Sequence, residues 1–231
     1  MKTMILSDLI VARKSILQLL GICALASIFL AIGVGDIVAA SASFTAMMVM
    51  MYTFTAQGFD ELNGWQSFRL TLPLSRRQVV WGRYGSIALV GFGSALAATA
   101  FALAVMGIAD ALPPLEVTES LRGDLQTVGE IAASTSFGLL LMLAVIAISL
   151  PPVMRFGLTK GFRLLPAFVA AALAGFILAA EYAGPGIEAL LAPLQQTLGV
   201  WGLSILGALL SLLLYIASGV LSAHLYRKRE L

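Results

Sequence analysis

Charge is what this sequence has least of. Only 11% of its 231 residues are charged, and it holds one histidine and one cysteine. Each scarcity excludes something. A soluble domain of this length could not hide a 60% hydrophobic composition while showing water so few charges. With a mean hydropathy of +0.97, lipid is the natural solvent for most of the chain. Cys23 has no second thiol to bridge and joins no metal-ligand cluster, so it reads as a small buried apolar residue. His224, in "SAHLYRKRE", has no partner ligand nearby and reads as an interfacial side chain. No G-x-x-x-x-G-K-S/T phosphate loop occurs, because none of the four lysines follows a glycine. H-E-x-x-H and G-x-S-x-G are absent too. The chain is not expected to be an enzyme, and no catalytic or metal residue is assigned.

What is present is a series of long apolar runs. Six spans are predicted, at residues 16–34, 37–57, 85–107, 131–150, 164–182 and 198–221. Each is close to the ~20 residues a helix needs to cross the hydrocarbon core. The runs do not alternate as barrel strands do. The expected fold is an all-α membrane protein with six transmembrane helices in one domain over residues 1–231.

The few charges are sorted by side. Of the 14 basic residues, 13 precede span one, follow span six, or lie between spans two and three or four and five; Arg122 alone is on the other side. The positive-inside rule makes the basic side cytoplasmic and puts both termini there. The opposite side carries Asp36, Asp110, Glu116, Glu119, Asp124, Glu130, Glu181 and Glu188. "AASAS" resembles a signal-peptide cleavage site, but Asp8, a span-length apolar run and the later spans favour an uncleaved first helix. Residues 1–15 suit a short amphipathic entry helix lying at the inner surface, and suit a frayed terminus equally.

Span centres are free of Asp, Glu, Lys, Arg and His, so neither a proton relay nor a cation site is visible. Serines within the spans read as packing hydroxyls. "GFGSALAATA" in span three and "GLSILGALLS" in span six are small-residue faces suited to close helix approach. Pro151 and Pro152 are expected to break or kink the fourth helix at its inner end. Residues 184–202, "GPGIEALLAPLQQTLGVWG", form two Pro-broken apolar pieces too short to span. They fit short outer re-entrant helices or a plain amphipathic loop. The acidic outer stretch over 108–128 reads as a solvated loop.

The densest charge lies in "FDELNGWQSFRLTLPLSRRQVV", residues 59–80. Asp60 and Glu61 stand where a short helix would start, at the positive dipole end that carboxylates favour. Pro73 stops the preceding segment. Ser75 can cap the next helix, with Gln78 completing a capping box. Arg76 and Arg77 can snorkel or pair with acids, and Trp65 and Phe68 offer docking area. These features fit a protein-docking loop or an interfacial loop without a partner.

"DELNGWQSFRLTLPLSRRQVVWGRY" resembles the inner loop of ABC-2 type transporter permeases: an acidic pair, Gly, an aromatic, then "LPxSR" leading into the third helix. The likeness is greatest to the six-helix bacterial branch whose ATPase is a separate chain. It is dense over some 25 residues, and the six-span layout extends it over the chain. What the resemblance implies is a multi-pass permease subunit in the bacterial cytoplasmic (inner) membrane, among membrane lipid, with export favoured. It implies a second permease chain, identical or related, and cytoplasmic ABC ATPase subunits that carry ATP and Mg; this chain holds no cofactor, and no nucleic-acid partner is expected. Carried over, residues 59–78 form the cytoplasmic coupling loop. Asp60, Glu61, Asn63, Gly64 and Trp65 meet the ATPase, with Leu72, Pro73, Ser75, Arg76 and Arg77 supporting the next helix. The family's entry helix and outer re-entrant segment fall on 1–15 and 184–197. Two other classes remain: an assembly or regulatory membrane protein whose inner loop docks a non-ATPase partner, and an intramembrane enzyme, for which no polar pair stands within a span.

Overall fold

The computed structural model describes residues 2–62, 75–113, 121–157 and 207–226, and every regular element among them is an α-helix. These are α1 (Lys2–Val34), α2 (Ile37–Leu62), α3 (Arg76–Ala111), α4 (Leu125–Phe156) and α5 (Gly207–Tyr226). All five are long and apolar enough to cross a membrane. The chain is therefore a multi-pass helical membrane protein. The predicted span at 164–182 and the re-entrant segment at 184–197 lie outside the described residues.

Sequence chemistry sets the boundaries. α1 stops at Gly35, whose φ of 72° is left-handed and whose N–H bonds the Ala31 carbonyl at 2.9 Å. Asp36 then caps α2, its Oδ1 accepting from the Val38 amide at 2.8 Å and the Ala39 amide at 3.3 Å. Two residues thus reverse the chain. Ser75 opens α3 with the expected capping box: its Oγ accepts from the Gln78 amide at 3.2 Å, and its amide donates to Gln78 Oε1 at 3.0 Å. Asp124 and Thr127 make the corresponding box on α4. Arg122, the lone basic residue of its side, is spent on the end of α3. Its Nε donates to the Ala109 carbonyl at 3.2 Å and its Nη2 to the Leu112 carbonyl at 2.7 Å.

The first element departs from expectation. Residues 2–34 form one uninterrupted helix of about 50 Å, not a surface helix followed by a span. No proline or glycine interrupts the sequence before Gly21. The early turns bury the i, i+4 stripe Met4, Asp8 and Ala12 against the bundle rather than presenting it to headgroups. Gly82 of α3 makes room for Met4: a Cβ there would sit 2.4 Å from its Cγ.

α2 is central, packing on α1, α3 and α4. Gly138 of α4 comes so close to α2 that a Cβ would lie 2.7 Å from the Ala42 carbonyl oxygen. Close approaches fall at Gly82, Gly85, Gly91, Gly138 and, between α5 and Trp81, Gly219; of the anticipated small-residue faces, Gly91 meets Leu139 of α4, whereas Gly93 and Gly207 have open space. Leu17, Phe29, Leu96, Phe137 and Leu213 are well exposed, as side chains facing acyl chains are.

Contacts fix helix directions. Thr99 meets Thr135 while Gly91 faces Leu139, so α3 and α4 are antiparallel. Arg76 meets Tyr226 while Tyr84 meets Ser218, so α3 and α5 are antiparallel as well. α4 and α5 are consequently parallel, and their connection joins opposite ends of the bundle. The end where α2 finishes and α3 begins carries Arg13, Lys14, Arg76, Arg77, Arg83 and Arg155 and is called the basic end below.

Candidate functional site

At the basic end the residues singled out in sequence are separated by the fold. Asp60 belongs to the last turn of α2, not to the start of a short helix. A carboxylate there faces the negative end of the helix dipole and needs a cation. Arg83, the largest fully buried side chain among the described residues, supplies it: Nη2 donates to Asp60 Oδ2, and Nη1 lies 3.2 Å from Asp8 Oδ2 of α1. One planar guanidinium thus ties α1, α2 and α3, each Nη of its fixed fork serving one carboxylate. Ser86 Oγ, one turn on, lies 3.3 Å from the same Asp8 oxygen and donates to the Arg83 carbonyl at 2.9 Å.

Glu61, the next residue, is exposed. The acidic pair is therefore split between an inward carboxylate and an outward one. Asn63, Gly64, Trp65, Leu72 and Pro73 lie outside the described residues. Ser75 is the α3 cap. Arg76 is half-buried, with Nη1 donating to the Tyr226 carbonyl of α5 at 3.4 Å, and Arg77 is exposed.

Tyr84 faces the other way. Its Oη lies 2.7 Å from Ser218 Oγ and 2.8 Å from Ser222 Oγ, and its ring packs 4.9 Å from that of Tyr215. Tyr215 Oη donates to the Tyr84 carbonyl at 2.8 Å. Ser218 also donates to the Ala147 carbonyl of α4. That carbonyl is available because Pro151, four residues on, has no N–H to offer it. Pro151 and Pro152 do not break α4, which runs on to Phe156 and stops at Gly157, with φ 85° and its N–H on the Val153 carbonyl at 2.9 Å. The carbonyl freed by Pro151 is satisfied by α5, so the helix can continue.

A hydroxyl has one proton to give, which orders the chain. Ser218 gives its proton to Ala147, so Tyr84 donates to Ser218 and Ser222 donates to Tyr84. Sequence reasoning missed this arrangement. In the sequence Asp8 serves only as an argument against cleavage, and Arg83 only as one of the basic residues between spans two and three. The signal was there: a lone acid in "ILSDLIVA" and a lone Arg in "VVWGRYGS" stand inside apolar helix, where ionisable residues survive paired. Ser218 and Ser222 share the i, i+4 spacing of one helix face.

Among the described residues no group of His, Cys, Asp and Glu could hold a metal ion. The arrangement has no nucleophile–base pair aimed at open space. It holds helices. Compared with known families, residues 3–227 match the family described as "ABC-2 family transporter protein". No curated protein and no solved structure matches the chain significantly.

Proposed function

The chain belongs to the ABC-2 transporter family, and from that premise we propose that it is the permease subunit of an ABC exporter, driven by a separately encoded cytoplasmic ATPase. The observation that carries the proposal is the family match over nearly the whole chain, residues 3–227. The permease works with a second permease chain in a bacterial inner membrane, with the basic end in the cytoplasm. Six spans put both termini there; the parallel course of α4 and α5 supports a further crossing between them, for which residues 164–182 are the apolar run of suitable length.

The mechanism is mechanical. ATP on the partner, with its Mg, draws the ATPase subunits together, and their movement reaches the permease through residues 59–78. In that loop Glu61, Asn63, Gly64 and Trp65 make the contact. Asp60 anchors the segment to the bundle through Arg83. Leu72, Pro73 and Ser75 set the entry into α3, where the capping box fixes the first turn, and Arg76 and Arg77 hold that turn at the interface. The spans then tilt about one another, and substrate passes between the two permease chains.

Purification of the tagged protein from its native membrane in mild detergent tests this. The expected result is a P-loop ATPase in near one-to-one ratio, lost in Glu61→Lys with Asp60 left intact, because Asp60 is committed to Arg83. If no ATPase is retained where other such complexes survive, the permease function fails, and a non-ATPase partner bound at the loop identifies an assembly or regulatory protein instead.

A further inference from the structure

Arg83 and Tyr84 are consecutive, so their side chains leave α3 about 100° apart. Between them they contact α1, α2 and α5, and they reach α4 through Ser218. Arg83 holds Asp8 of α1 and Asp60 of α2. Tyr84 holds Ser218 and Ser222 of α5, and Ser218 passes the chain on to the Ala147 carbonyl of α4. The polar path Asp8/Asp60–Arg83–Tyr84–Ser218–Ala147 is continuous except for one peptide unit of α3, which is rigid. Nothing in lipid competes for these groups, and no apolar contact fixes direction as a hydrogen bond does.

We propose that Arg83 and Tyr84 are the positioning residues that carry displacement of the α2 end into the rest of the bundle, Arg83 gathering α1 and α2 onto α3 and Tyr84 handing the motion to α5 and α4. The proposal rests on the permease function above for its physiological meaning, but the link itself is a property of this chain alone. A shift at Asp60 drags the guanidinium, which is also bound to Asp8, so α1 follows. Rotation or tilt of α3 at that point displaces Tyr84 Oη, and the hydroxyl chain draws α5 after it.

The test is amide hydrogen exchange on the full chain in lipid nanodiscs, comparing wild type with Tyr84→Phe and Arg83→Lys. Tyr84→Phe keeps the ring and every ion pair. It is expected to speed exchange about 30-fold, the factor two lost hydrogen bonds give, over residues 215–226 and also at the far side of the node, over residues 4–12 and 56–61. Arg83→Lys is expected to speed exchange at 4–12 and 56–61 and also at 215–226. An effect of Tyr84→Phe confined to α5 and its immediate neighbours overturns the proposal, whether or not Arg83→Lys keeps its fold. A second arm uses the complex with the co-purified ATPase. Trapping with ATP and vanadate changes exchange at 215–226 in wild type, and Tyr84→Phe abolishes that change while the ATPase still co-purifies. An unchanged response in the variant overturns the proposal and leaves the permease function standing. Absence of any ATPase from wild type overturns the permease function, and the first arm still decides the node.

Discussion

Arg83 shows what a charge inside an apolar helix requires. Its guanidinium and two carboxylates are nearly dry, and withdrawing it leaves both acids deprived of their shared cation. Arg83→Met is expected to lose about 3–5 kcal/mol. Adding Asp8→Asn and Asp60→Asn to Arg83→Met is expected to recover most of the loss, since neutral amides are cheaper to bury than ions. Thermal unfolding in detergent, followed by tryptophan fluorescence, compares the two; a triple variant as unstable as the single one refutes the electrostatic account. Ser218 poses the converse problem, a hydroxyl that serves a carbonyl. Ser218→Ala orphans Ala147 and is expected to cost roughly 1–3 kcal/mol. Pro151→Ala restores an N–H for that carbonyl, so the double variant Ser218→Ala/Pro151→Ala is expected to be more stable than the sum of the two single effects. Strict additivity would mean the carbonyl is satisfied elsewhere.

Helix ends were the most legible elements because their chemistry is local. Ser75 and Gln78 announce their capping box in four residues of sequence, and Gly35–Asp36 stops one helix and starts the next. Asp124 does the same for α4, and its exposed carboxylate carries a pH dependence. Hydrogen bonds from the backbone and side chain of Thr127, and from the Gln126 amide, hold its pKa below the ordinary carboxylate value. A depressed folded value means the cap contributes stability above the unfolded pKa of about 3.9 and loses it as pH falls through the folded one. Amide exchange over residues 125–130, corrected for intrinsic rate, is therefore expected to quicken below pH 4 in wild type and to show no such step in Asp124→Ala. The interior of α4 was less legible. Two consecutive prolines predict a break or a kink; the helix is unbroken, and Ser218, from 71 residues away, satisfies the carbonyl that Pro151 leaves without its N–H. For α1 the local pattern showed charges at 2, 8, 13 and 14 beside apolar residues, which a surface helix and a docked helix share. The presence of Arg83 opposite Asp8 decides between them.

At the scale of the molecule, segregated charge predicts the orientation. Single cysteines replacing Arg13, Asp110 or His224 in a Cys23→Ala chain should sort by side: a membrane-impermeant maleimide applied to intact cells is expected to label position 110 only. Labelling of 13 or 224 would reverse the topology. What the sequence determined by itself was the solvent, the helical class, most span positions, the sorting of basic residues and the family resemblance. All of these follow from composition, from run length against bilayer thickness, or from a contiguous motif. Only the tertiary structure decided which acid of the pair at 60 and 61 faces inward and why Asp8 is tolerated within a helix. It alone decided where helices touch most closely and how a proline-freed carbonyl is satisfied. The physical reason is the same in each case. A buried polar group is stable only with its partner, and the partners lie between 23 and 138 residues away, a separation no local pattern encodes.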